Sequence, residues 1–543
     1  MKQLIRKEIA KAFEKIQRDK LWHDFTLPEY QVEIPDKEKF GDYSTNLAMI
    51  LSKTLRMRPA EIAEVFKSYI KSSNIREVEI VSPGFINFFL EPKLYNQEIN
   101  KILKEKVKYG SQDWGAGKKV QLEFISANPT GPLHMGNGRG GFTGDVMANV
   151  LRKVGYKTYK EYYINDAGSQ IDTLGESVMR RYLQAQGTPV DYPEELYQGD
   201  YIKELAANLK IRDFKIKDQK KLARLKEKVK IWALEEMIKN IQEVVQKKCG
   251  IKFHRWFRES WLYENDAKEA MLDYLKKKDL IYLKDGAIWF KSSTLGDDKD
   301  RVIIKKDGAQ TYFFSDVLYS DNRFIKRKYD KVIMLWGADH HGFVSRYKAI
   351  SKVFDSEEKL KIILYQNVRL IFQGKELKMS KRKGVFVTLE ELVDEVGIDA
   401  VRFFFLMNSL DKHMDFDLTL AKKKSDKNPV YYVQYAHARI CSILNKVSTA
   451  SKIPSKLEYL DPAEKSLIKE LIKYPDIIEE IANTYEVQRL PFYAIEIARK
   501  FHNFYNHCRV IEDDKVNASR VVLIKSTKIV LNNVLSLMGV DAP

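Results

Sequence analysis

The stretch "VQLEFISANPTGPLHMGNGRGGFTGDVMANVLRKVGYKTYKEYYI", residues 120–164, restricts the fold more than any other part of the chain. Its first six residues read as a short buried strand. A loop with two prolines and five glycines occupies residues 126–141. Beyond it, Val146, Val150, Leu151 and Val154 recur on one helical face, "KTYKEYYI" reads as a second strand, and "GSQIDTLGESVMRRYL" as a second helix. Strands that alternate with helices pair in parallel, because the chain must cross back before the next strand can run in the same direction. The expected fold class is therefore α/β, with a Rossmann-like, doubly wound parallel sheet.

At 543 residues the chain exceeds what one hydrophobic core usually supports. Residues 1–110 mix helix and strand: Ile5, Ile9, Phe13 and Ile16 follow the helical period, and "VEIVSPGFINFFL" reads as two strands around a Pro-Gly turn. A small α+β domain is expected there, then a glycine-rich linker, "KYGSQDWGAGKK". The sheet-bearing core is expected over 115–396, interrupted by a charged, mostly helical insertion at about 183–280. Its pattern resumes in "AIWFKSS", "RVIIKKDGAQTYFFSD" and "KVIMLWGADHHG". Residues 397–543 show no strand pattern and are expected to form a helical bundle, with helices starting at Asp461-Pro462 and at Pro491, where proline costs no hydrogen bond.

Composition narrows the function classes. The 44% hydrophobic and 31% charged content is that of a soluble globular chain. No run of about 18 apolar residues stands out, so a cytoplasmic protein with no membrane partner is expected. Three distant cysteines favour neither a disulfide framework nor a thiolate zinc site. The net charge of +18 fits a polyanionic partner such as nucleic acid, or a well-solvated lysine-rich surface.

A loop leaving the carboxyl end of a parallel strand and entering a helix is where open α/β sheets bind ligands. Glycines there let backbone amides approach an anion, and the helix amino end adds partial positive charge. The same pattern also serves as a plain tight turn. His134 and Asn137 add two hydrogen-bonding side chains around Gly136, suited to holding a phosphate while a carboxylate attacks it. Downstream, "QGKELKMSKRKG" places Lys378, Lys381, Arg382 and Lys383 in one glycine-bounded stretch.

Together, HMGN at 134–137 and KMSKR at 378–382 resemble the HIGH and KMSKS signatures of class I aminoacyl-tRNA synthetases. Asn137 stands where that signature has its second histidine, and Arg382 where it ends in serine. The stretches "EFISANPTGPLHMGNGRGG", "YYINDAGSQI", "YQGDYI", "GDDKDRVIIKKDGAQTYFFSD", "LWGADHHGFVSR" and "NPVYYVQYAHARI" resemble bacterial-type arginyl-tRNA synthetases, in the family's order along the chain. "FGDYSTNLAM" and "SPGFINFFL" resemble the domain that this family uses against the tRNA elbow.

The resemblance implies an arginine-tRNA ligase that joins arginine to ATP as an adenylate, releases pyrophosphate, and passes the arginyl group to the 3′ end of tRNA. It implies catalytic roles for His134, Asn137, Lys378 and Lys381. The ATP contacts would come from Pro129, His134, Gly136, Asn137, Gly337, Asp339, Met379 and Ser380. The arginine contacts would come from Glu123, Ser126, Asn128, His134, Tyr312, Asp316 and His340. Tyr431, Tyr435, Arg439 and Tyr505 would meet tRNA, although tyrosines at helical spacing also pack cores. Tyr312 and Asp316, four residues apart, share one side of a helical turn, where a ring can flank a guanidinium and a carboxylate can bind it at two points. Asp316 as a simple helix cap is the alternative. Mg²⁺ would travel with ATP as co-substrate; no resident metal is expected, since the adjacent His340 and His341 have no nearby Cys or Glu to complete a site. A monomer is expected. Two rivals are a nucleotidylyltransferase, which needs neither the helical tail nor the amino-terminal domain, and a catalytically dead RNA-binding relative, against which His134, Lys378 and Lys381 speak.

Overall fold

A computed structural model describes residues 1–35, 37–210, 219–264, 266–377, 388–447, 457–512 and 515–543. At its centre, five parallel strands stand in the spatial order Leu360–Tyr365, Lys331–Gly337, Lys119–Glu123, Lys157–Ile164, Arg255–Arg258. Numbered along the chain this is 5-4-1-2-3, the doubly wound order. The direction of strand progression therefore reverses between Lys119–Glu123 and Lys331–Gly337, and the crevice outside their carboxyl ends is the expected ligand site of such a sheet.

Three strand expectations are corrected. Ala287–Phe290 and Arg301–Ile304 do not rejoin the central sheet; with Ile281–Lys284 they form a separate antiparallel sheet. The reason is local: Asp285 and Gly286 both have positive φ, which makes a tight two-residue hairpin that cannot join parallel strands. The fifth strand of the main sheet is instead Arg255–Arg258, inside the stretch expected to be mostly helical. Past residue 397 a strand does occur, Met414–Asp417, which pairs in parallel with Val368–Phe372. Pro491 stands third in the helix Arg489–His507, not at its start. Asp461 does cap the helix Pro462–Leu471, accepting from Ala463 N–H at 2.7 Å.

The opening loop leads into the helix Gly136–Lys153, and the glycines there serve packing. A Cβ on Gly144 would come within 2.4 Å of the Phe124 ring, one on Gly140 within 2.7 Å of Tyr365, and one on Gly141 within 3.0 Å of Ile125. The helix thus lies against the sheet closer than side chains would permit. Gly144→Ala should cost about 1 to 3 kcal/mol through overpacking, read as a lowered urea midpoint.

The amino-terminal unit pairs the hairpin Ile75–Val81/Phe85–Leu90 with Tyr43–Thr45 and buries Ile5, Ile9, Phe13 and Ile16 of the helix Lys2–Arg18. It docks on the terminal bundle: the Tyr43 hydroxyl donates to the buried Asp476 carboxylate at 2.7 Å, and Lys469 pairs with Asp42 at 2.8 Å. The glycine-rich stretch expected as a linker is packed too, with Tyr109 buried and stacked on Tyr474.

One helix, Ala518–Met538, is long and apolar enough to cross a membrane by length and composition, which the sequence reading did not single out. Two thirds of its apolar window (67%) is buried inside the protein, as in the core helix of a bundle. Arg402 ties that helix to the glycine-rich one: its guanidinium donates to the Met538 carbonyl at 2.9 Å and pairs with the buried Asp145 at 3.0 Å.

Candidate active site

Leaving the central strand, the chain turns sharply through two left-handed residues, Ile125 at φ 67° and Ser126 at φ 38°. Such backbone costs about 1 to 3 kcal/mol per residue and persists where its surroundings hold it. Here the neighbouring strand does so. Tyr163 N–H donates to Ser126 Oγ at 3.1 Å, and the Tyr162 hydroxyl donates to the Ala127 carbonyl at 2.9 Å. Asn128, exposed, donates to Gln170 Oε1 at 2.7 Å, and Pro129 is buried.

Backbone contacts join the histidine loop to the chain beyond the second signature. His134 forms an antiparallel bridge with Thr388, and Leu389 N–H donates to the Leu133 carbonyl at 2.8 Å. Thr388 is fixed in turn as the N-cap of Leu389–Val396, in a reciprocal capping box with Glu391. The residues just after the lysine stretch are therefore seated on the histidine loop. Lys378, Met379, Ser380 and Lys381 themselves lie outside the described residues. Asn137 is buried, and its side-chain oxygen accepts from His134 N–H at 3.0 Å, so the amide hydrogens are the end left to meet phosphate. Gly136 gives the His134 ring its place: a Cβ there would stand 2.9 Å from Nδ1 and 3.0 Å from Cε1.

Across the crevice, Gly337 ends the neighbouring strand. A Cβ on it would lie 2.4 Å from Asp339 Oδ1, so the Asp339 carboxylate folds back over that glycine. His340 is exposed, 3.7 Å from Asp339, and its ring faces Trp336 and Phe343.

The crevice floor is rich in buried charge. Glu123, the last residue of the central strand, pairs with Arg323, both buried, and the Arg323 guanidinium lies 3.6 Å over the Tyr319 ring. Glu161 similarly holds Arg327. Asp316 accepts a hydrogen bond from the Tyr347 hydroxyl at 3.0 Å. Burial first, then the nearby Glu259 and Glu123 carboxylates, push its pKa up to about 7, against the pull of Tyr347 and Arg323. Asp316 caps nothing: Thr311 is the N-cap of the helix Tyr312–Asp321, and Asp316 stands in its second turn. Tyr312 opens that helix, 53% exposed, and its hydroxyl lies where a Cβ on Gly168 would come within 2.6 Å.

Glu259 was not singled out from the sequence. It is buried directly after the strand Arg255–Arg258 and accepts from Ser315 Oγ at 2.7 Å, and burial raises its pKa. Among the described residues it makes no ion pair. The signal available was an acidic residue at the carboxyl end of a parallel strand, hidden because that strand was not recognised. Among the described residues Arg323 pairs with Glu123 and acts on Asp316, while no cation pairs with Glu259, so the cluster is short of positive charge.

On the helix Pro429–Lys446, Tyr431 and Tyr435 are stacked with ring centroids 6.3 Å apart and planes 8° apart, and both are exposed. The Arg439 guanidinium lies 4.6 Å from the rings of Tyr435 and the exposed Tyr505. These side chains form an outward ladder across the helices Pro429–Lys446 and Arg489–His507.

Comparison with known proteins agrees along the whole chain. Residues 98–419 match the family of class I (R) tRNA synthetase catalytic domains. The chain belongs to the arginyl-tRNA synthetases. Residues 1–90 match the arginyl tRNA synthetase N terminal domain, and 433–543 the DALR anticodon binding domain. Similar proteins named arginine–tRNA ligase come from Acetivibrio thermocellus, 43% identical over 100% of this chain and 97% of the relative, and from Syntrophotalea carbinolica, 42% identical over 100% of both. The arginyl-tRNA synthetase structure from Thermus thermophilus superposes with a TM-score of 0.76 at 20% identity, covering 100% of this chain and 99% of that one, and speaks for the same fold.

Proposed function

We propose that this arginyl-tRNA synthetase activates arginine in the crevice between Glu123 and Gly337 and charges it onto tRNA. The carboxylate excess of Glu123, Asp316 and Glu259 carries the reading, since a bound guanidinium supplies the missing cation. Tyr312 flanks the guanidinium, Asp316 and Glu259 meet its donors, and Asn128, Ser126 and His340 line the approach. Lysine, a single point charge, cannot satisfy two carboxylates in the same plane.

His134 and the Asn137 amide hold the ATP phosphates, with ATP resting on Pro129 and Gly136 and its ribose against Gly337 and Asp339. Met379 and Ser380 complete the ATP contacts. The arginine carboxylate is already a nucleophile, so alignment and charge neutralisation supply the catalysis without a general base. Lys378 and Lys381 draw off pyrophosphate, and Mg²⁺ enters with ATP as co-substrate. Tyr431, Tyr435, Arg439 and Tyr505 stack on unpaired tRNA bases. The working form is a cytoplasmic monomer, with units at 1–110, 115–396 and 397–543.

Pyrophosphate exchange across the standard amino acids, with and without total tRNA, tests the assignment. Arginine alone is expected to support exchange. Equal exchange with lysine would overturn the pocket.

A further inference from the structure

The helical insertion beside the active-site loop shares an apolar cluster with the core helix Ser169–Ala185, in which Leu174, Val178, Ile202, Val229 and Ala233 are buried. Two side-chain bonds join the loop to this pair, one to the helix and one to the insertion. Gln170 takes the Asn128 amide, and the Tyr201 hydroxyl donates to the Thr130 carbonyl at 2.7 Å across 71 residues of chain.

Space for that tyrosine is left by two glycines. A Cβ on Gly131 would stand 3.2 Å from the Tyr201 oxygen, and one on Gly199 would stand 2.5 Å from its ring. Gly131 belongs to the loop, and Gly199 caps the helix Asp200–Asn208 that carries Tyr201. Two motifs far apart in sequence are thus shaped around one side chain. The loop also has reason to need an outside donor: Pro129 and Pro132, on either side of Thr130 and Gly131, have no N–H, so the segment cannot brace itself with a ladder of its own. Burial raises the pKa of the Tyr201 hydroxyl, which keeps it a donor at neutral pH.

We propose that Tyr201 is a positioning residue: by holding the Thr130 carbonyl it fixes the loop between Asn128 and His134, so that the helical insertion sets the geometry of arginine activation. The kinetic consequence rests on the proposed function; the structural one does not.

Tyr201→Phe removes one oxygen and keeps the ring between its glycines. The catalytic efficiency kcat/KM for arginine should fall about five- to tenfold, while the KM for tRNA stays unchanged and the melting midpoint moves by less than about 2 °C. Backbone hydrogen exchange over 127–133 should accelerate without a matching rise elsewhere. Gly131→Ala, which crowds the same hydroxyl from the loop side, should reproduce the arginine defect and add little to Tyr201→Phe, since both act through one contact. Wild-type arginine kinetics with unchanged loop exchange would overturn the proposal. So would faster exchange throughout the chain with a lowered melting midpoint, the mark of a purely structural tyrosine. A parent enzyme that charges no arginine would sink the functional reading instead, and loop exchange would still decide the role of Tyr201.

Discussion

Asp316→Asn is expected to raise the KM for arginine roughly 30-fold or more while leaving the protein as stable as its parent, or more so. In the proposed pocket the substitution removes the charge that opposes the substrate guanidinium, which costs about 2 to 5 kcal/mol. The stability sign comes from the raised pKa. An aspartate whose folded pKa lies above its unfolded value weakens the fold once pH exceeds the unfolded value near 4, and the full penalty is reached above about 7. At pH 8 the folded protein therefore carries a charge it would rather not hold, worth roughly 2 to 4 kcal/mol. Asparagine removes that burden and keeps a partner for the Tyr347 hydroxyl. The melting midpoint of the variant, measured without arginine, should equal or exceed the parent's at pH 8, with the gap closing below pH 4. In the parent, arginine affinity should fall as pH drops through about 7, because binding requires the ionised carboxylate. A variant with an unchanged arginine KM, or one that melts far below its parent at pH 8, would show that Asp316 supports the fold and not the substrate.

How much of the fold and of the proposed pocket was legible depended on the range of the interactions. The strand, loop and helix spanning 120–164 were legible because burial imposes its period locally, and the crevice followed from the order of parallel strands. Tyr312 and Asp316 were legible as a pair because a helix puts residues four apart on one side, and the helix is there. Glu259 was not legible, since its strand has four residues and no period to read. Nor was the Glu123 to Arg323 pair, which joins residues 200 apart and exists only once the sheet is assembled. The antiparallel hairpin around Asp285-Gly286 could have been read from its turn dipeptide, yet its apolar runs resemble buried parallel strands. The five glycines of the opening loop invited a phosphate reading. In the structure Gly140 and Gly141, with Gly144 of the helix that follows, are committed to helix–sheet contact, and Gly136 stands against the His134 ring.

That division of labour makes His134 and Gly136 a paired test. His134→Ala should lower kcat about 10²- to 10³-fold with little change in the KM for arginine, as expected for a donor that acts on charge developing at the phosphates. The backbone bridge to Thr388 and the bond from His134 N–H to Asn137 do not use the ring, so both survive the substitution. A melting midpoint measured beside kcat separates loss of the imidazole's action on phosphate from loss of fold. Gly136→Ala leaves the imidazole in place and pushes on it: the new methyl would stand 2.9 Å from Nδ1, so the ring must yield by some tenths of an ångström. Catalytic donors tolerate such displacement poorly, a misplacement of about 1 Å costing on the order of 10²-fold, so Gly136→Ala should lose roughly tenfold in kcat. The double variant should be no worse than His134→Ala, because with the ring gone the methyl has nothing to displace. Additive losses would mean that Gly136 serves by letting ATP approach the backbone directly, and that the histidine's position does not depend on it.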